Sequence, residues 1–131
     1  SLHDALPIWT PMRTLLWIAI PVMLAGGVGS VLRLLLSQWS SILPWGILAA
    51  NTLASFVAAL AMGAIGEYGE HAIWISGLCG GLSTFSTFAG QTVDFFRRGR
   101  IAQGLTNIVL NFGFITSAAF VGLWVAATLL K

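Results

Sequence analysis

Four apolar runs, each long enough to cross a lipid bilayer, constrain this chain more than anything else in it. They cover about residues 15–36, 45–65, 72–96 and 105–130. A hydrocarbon core about 30 Å thick is crossed by roughly 20 helical residues. The separators SQWSSILP, GEYGEH and RRGRIAQG are short and polar, leaving no room between spans for a soluble module. Lipid cannot hydrogen-bond a backbone, so only helices or a closed barrel can span it, and these runs are too long and continuous for barrel strands. The predicted fold is an all-α integral membrane protein, one bundle of four transmembrane helices.

Composition agrees. Charged residues make up 8% of the chain, against about 25% in soluble domains, too few to coat a water-exposed globule. Cys79 is the single cysteine and lies inside the third run, which excludes an intrachain disulfide. The net charge of +2 comes from scattered basic residues and carries no argument for nucleic acid. Arg97, Arg98 and Arg100 cluster in one separator, where they suit lipid headgroups at the membrane surface. Arg13 and Lys131 fall on one side of the membrane, and Arg33, Arg97, Arg98 and Arg100 on the other. This bias places the first and third loops in the cytoplasm, and it is weak enough to permit insertion both ways up.

Residues 1–11 stand apart. They lack the charged and apolar regions of a signal peptide. The codons TCC CTA CAC GAC GCT CTT CCG ATC, which read like a sequencing-adapter oligonucleotide, would encode Ser1 to Ile8. The expectation is a non-native leader over 1–11, a natural start at Met12 and a channel subunit over 12–131.

The polar residues inside the spans narrow the function. Of the acidic residues Asp4, Glu67, Glu70 and Asp94, none sits at mid-span, and His71 falls in a separator. Proton-coupled transport relies on an intramembrane carboxylate or histidine, so no proton carrier is visible. No metal cluster or nucleophile–base pair points to an enzyme. In AGGVGSVLR, Ala25/Gly29 and Gly26/Ser30 are small pairs that let a neighbouring helix approach. Arg33 either snorkels to the interface or attracts anions in an aqueous vestibule. Asn51 in the second span, and Asn107 and Asn111 on one face of the fourth, either tie helices together or offer amide donors to an anion. Thr116 and Ser117 follow on the fourth span.

The stretch GGLSTFSTF, Gly80 to Phe88, is the least helix-like part of any span. Its paired glycines and its hydroxyls at Ser83, Thr84, Ser86 and Thr87 disfavour helix continuation. A break there frees carbonyl oxygens, tolerable only where they are buried in protein or bound, and a small hard cation is their natural partner. Phe85 and Phe88, three apart, share a helical face. They either pack against core and lipid or line a path with their positive ring edges, which would suit a small anion.

GGVGSVLR, NTLASF and above all GLCGGLSTFSTF resemble the Fluc (CrcB) fluoride channels, from about Met12 to the end of the fourth span. The resemblance implies a bacterial inner-membrane, multi-pass subunit that pairs with a second copy as an antiparallel, dual-topology dimer, its third helix broken at mid-membrane. It implies fluoride as the conducted ion, Phe85, Phe88, Asn51 and Thr87 along the pore, and Arg33 near its vestibule. It also implies a structural Na+ at the dimer interface, held by the backbone carbonyls of Gly80 and Ser83. Ile47, Ala54, Ala59, Ser83 and Ser30 depart from the residues common in the family. Two other readings share this architecture: a small dual-topology multidrug-type exporter, which needs an acidic residue in the first span, and a structural partner subunit of a heterodimeric channel.

Overall fold

The spans become helices where backbone groups have no partner but each other. A computed structural model describes residues 9–66 and 68–130; most of the expected leader, Glu67 and Lys131 lie outside the described residues. Helix α1 is Trp9–Ser37 and α2 is Trp45–Ala64. Tyr68–His71, a π-helical stretch Ala72–Cys79 and Gly80–Leu82 follow one another as α3, residues 68–82. After a two-residue gap come α4, Phe85–Arg97, and α5, Ile101–Leu129. The four candidate membrane spans are Pro11–Ser37, Trp45–Ala64, Ala72–Arg97 and Ile101–Leu129, the third containing the gap.

Helical ends differ from the sequence expectation at polar flanks. Helix α5 begins at Ile101 rather than near 105, and Tyr68–His71 is helical rather than a separator. Apolar runs mark the lipid-facing length, whereas helical hydrogen bonding continues into polar flanking residues. Pro11 is tolerated because it lies in the first turn of α1, where its missing N–H would have no helical partner. Pro21 lies inside α1, where it removes one helical bond. Ser37 Oγ then donates back to the Leu34 carbonyl at 2.7 Å at the helix end.

Helices α2 and α5 form the most extensive pair. Small residues face one another across it: a Cβ on Gly122 would meet the Phe56 carbonyl and the Ala59 methyl, and one on Gly63 would meet Ala126. Ala59, one of the departures from the family pattern, is thus seated opposite a glycine. Helix α1 packs on α3 along a second glycine seam, where a Cβ on Gly81 would strike the Gly26 backbone and one on Gly29 the Leu78 carbonyl. The close approach expected of the small residues in AGGVGSVLR is made here. Ala50, Ala54, Cys79 and Leu82 form a core where α2 meets the end of α3. Much of α1 remains apolar and exposed, including Leu15, Trp17, Met23 and Leu24, as suits lipid or another subunit.

Candidate functional site

Helix α3 stops at Leu82, and the chain runs extended through Ser83 (ψ 153°) and Thr84 (φ −152°, ψ 112°) before α4 starts at Phe85. The break therefore lies at Ser83–Thr84, with Gly80 and Gly81 still helical. Gly81 serves packing: the Gly26 backbone occupies the place its side chain would take. The hydroxyl residues make the interruption.

Side chains supply what the broken helix lacks. The Thr84 N–H donates to Asn51 Oδ1 at 2.7 Å, while Asn51 Nδ2 donates to the Thr84 carbonyl at 3.3 Å. One amide thus pairs with both backbone groups of the break residue. Thr84 in turn caps α4: its Oγ1 accepts from the Thr87 N–H at 3.1 Å and donates to Thr87 Oγ1 at 3.0 Å. In an unbroken helix the Thr84 N–H would bond to the Gly80 carbonyl, and the Thr87 N–H to that of Ser83. Both donors are diverted to side-chain oxygens.

From Asn51 a directed chain of hydrogen bonds runs through the interior. Asn51 Nδ2 donates to Asn111 Oδ1 at 3.4 Å, and Asn111 Nδ2 to Asn107 Oδ1 at 3.1 Å. Asn107 Nδ2 donates to Thr92 Oγ1 at 2.9 Å, which donates to the Phe88 carbonyl at 2.8 Å. Asn111, 2% exposed, is the largest fully buried side chain among the described residues. The Thr84 N–H fixes the first amide's orientation, because only Oδ1 can accept from it; each later amide follows from the one before. Such a chain polarises its own links and penalises any missing member.

The two phenylalanines part company. Phe88 is 8% exposed, whereas Phe85 is 74% exposed. Their centroids lie 5.9 Å apart, and both border a cleft of about 200 Å³ with Asn51, Thr84, Asn111 and Phe112. The cleft thus joins ring edges to the polar chain. Thr87 is exposed beside it. Arg33 is half-buried one turn before the end of α1 and forms no hydrogen bond or ion pair among the described residues. Thr116 is exposed, and Ser117 lines a separate, apolar groove with Trp39, Trp45 and Phe114. The structure therefore brings together Asn51, Phe85, Phe88, Asn111 and, through Asn111, Asn107; Arg33, Thr116 and Ser117 are not among the residues lining this cleft. Sequence reasoning passed over Thr92 and Phe112. Thr92 stands four residues after Phe88, the spacing that lets its hydroxyl reach that carbonyl. Among the described residues no group of three or more His, Cys, Asp or Glu side chains could hold a metal ion.

Residues 20–123 match the model of the family described as CrcB-like protein, Camphor Resistance (CrcB). The chain belongs to the CrcB family. Similar members include proteins named fluoride-specific ion channel FluC. That of Rhizobium etli is 33% identical over 80% of this chain and 92% of its own length. That of Proteus mirabilis is 39% identical over 72% and 83%, and one from Escherichia coli 33% identical over 74% and 84%. Membership of the CrcB family and four apolar helices of spanning length make this a multi-pass integral membrane protein of the bacterial membrane.

Proposed function

We propose that this protein is a fluoride-selective passive channel, through which fluoride leaves the cytoplasm down its electrochemical gradient and which thereby confers fluoride resistance. The observation that carries the reading is the broken third span. Within a few residues it presents a helix C-terminus, rich in carbonyl oxygen, and a helix N-terminus capped by Thr84 at the Phe85–Phe88 cleft. Helix N-termini favour anions and C-termini favour cations. The naming of similar CrcB proteins as fluoride-specific channels selects the anion.

The subunit, over residues 12–131, pairs with a second copy in antiparallel orientation. Phe85 supports this: a phenylalanine left largely exposed by its own subunit is available to a pore that two subunits complete. In that arrangement the break lies at mid-membrane and the two copies pool the carbonyls of Gly80 and Ser83. The fit to Na+ rests on the donor set: neutral, hard oxygens whose helical N–H partners are engaged elsewhere. A bound sodium would supply fixed positive charge and hold the subunits together. The chain's own residues do the rest. Phe85 and Phe88 edges and the Thr87 hydroxyl replace water around the ion, Asn51 holds the path's wall in shape, and Arg33 draws anions toward the vestibule.

Conduction needs no coupled energy source. An inside-negative potential of 100 mV is worth about 2.3 kcal/mol per charge, or roughly fiftyfold in concentration. Selectivity over chloride follows from a path narrow enough to strip the ion of water, with donors that compensate only the smaller one. Efflux from liposomes containing the purified protein, followed with a fluoride electrode beside a chloride control, tests the reading. Rapid fluoride release without chloride release is expected; folded, dimeric protein that releases neither overturns it.

A further inference from the structure

We propose that Asn51 and Thr84 are positioning residues that turn two backbone carbonyls of the third span into cation ligands. The inference rests on the cation-site reading above and assigns to these side chains a task other than touching the conducted ion. A helix closes each carbonyl onto the N–H four residues later. For Gly80 that N–H belongs to Thr84, and it donates instead to Asn51 Oδ1 at 2.7 Å. For Ser83 it belongs to Thr87, and it donates instead to Thr84 Oγ1 at 3.1 Å. Two side-chain acceptors thus capture the two donors that would otherwise occupy the proposed ligand oxygens. Without them, local refolding of residues 80–87 into continuous helix would engage each of the two carbonyls in an ordinary helical bond.

The disposition of the Asn51 amide argues the same way. Its Nδ2 donates to the Thr84 carbonyl and to Asn111 Oδ1, so its hydrogens are engaged within the protein. Its acceptor side makes the shorter contact. Asn51 is buried where α2 meets the break, and the chain through Asn111 and Asn107 holds its amide in register. Thr84 needs only its hydroxyl for the second capture, so serine can replace it and valine cannot.

The test is the sodium dependence of thermal unfolding of the purified, detergent-solubilised protein, titrated with NaCl against N-methylglucamine chloride at constant ionic strength. The wild-type unfolding temperature is expected to rise with sodium to a plateau. Asn51→Leu and Thr84→Val are expected to move the half-maximal sodium concentration upward by about tenfold or more, as losing an outer-shell partner does at metal sites. Thr84→Ser is expected to restore the wild-type midpoint. A merely structural role would lower the whole curve and leave the midpoint in place, and that result overturns the inference. If Asn51→Leu does not fold, the Thr84→Val and Thr84→Ser pair decides. A wild-type protein with no sodium-specific response would instead overturn the cation-site reading, and this inference with it.

Discussion

Phe88 meets Phe112 edge-on, with 6.2 Å between ring centroids and 87° between ring planes. This arrangement places the positive edge of one ring against the negative face of the other and fixes Phe88 in the protein interior. Phe85, 5.9 Å from Phe88 and tilted by 57°, has no such enclosure. The two rings of one motif therefore differ in what a substitution removes. Phe88→Ala is expected to cost up to about 3–5 kcal/mol, as for a buried aromatic ring. Phe85→Ile is expected to leave the isolated subunit's fold intact and to stop fluoride release. Thermal unfolding beside liposome efflux separates the two, and equal destabilisation by both would contradict the assignment.

The buried amide chain predicts non-additivity. Asn107→Leu takes one bond from each of Thr92 Oγ1 and Asn111 Nδ2, leaving them only their bonds to the Phe88 and Asn107 carbonyls. Leaving a buried polar group without its partner costs about 1–3 kcal/mol. Adding Thr92→Val removes one of the groups that lost a bond, so the double variant is expected to be less destabilised than the sum of the singles. Chemical denaturation of the four proteins in a double-mutant cycle measures the coupling, and strict additivity would show that the chain does not act as a unit.

How far these arrangements could be read in advance depended on the range of the interactions. The four spans were legible because lipid imposes length and apolarity residue by residue. The break was legible in GGLSTFSTF, but its position was not. Gly80 and Gly81 are poor helix formers in isolation, yet both remain helical, and α1 packs against the backbone of Gly81. Ser83 and Thr84 break the helix because Asn51, far away in sequence, supplies a replacement partner. Local propensity carries no record of that partner. The same reason hid Thr92, whose hydroxyl acquires its role only when Asn107 on α5 reaches it. The π-helical stretch at Ala72–Cys79 had no signal in the residue pattern either.

The glycine seams make a positional prediction. A Cβ at Gly81 would overlap the Gly26 backbone, and one at Gly29 the backbone of Leu78 and Leu82. Backbone cannot swing aside as a side chain can, so Gly81→Ala and Gly29→Ala are expected to cost about 1–3 kcal/mol through forced separation of α1 from α3. Nothing lies within 4 Å of a Cβ at Gly113. Gly113→Ala is expected to be neutral or stabilising by up to about 1 kcal/mol through helix propensity. Unfolding midpoints of the three variants check the ordering, and a Gly113→Ala loss as large as that of Gly81→Ala would refute it.

Gly99 tests backbone conformation in the loop between α4 and α5. Its φ of +71° is the one positive value among the described residues. The Gly99 N–H donates to the Phe96 carbonyl at 3.0 Å and the Arg100 N–H to the Phe95 carbonyl at 2.8 Å. This pair of bonds terminates α4 in the left-handed turn that glycine adopts without a Cβ clash. Space is not the constraint, because nothing lies within 4 Å of the position a Cβ would take. Gly99→Ala is thus expected to cost about 1–2 kcal/mol from conformation alone, and Gly99→Asn less, since asparagine enters the left-handed region more readily. Neither position nor contact links Gly99 to the cleft, so fluoride release per folded molecule should be unchanged in both variants. Equal stability of the alanine and asparagine proteins would show that the turn is not held in this conformation.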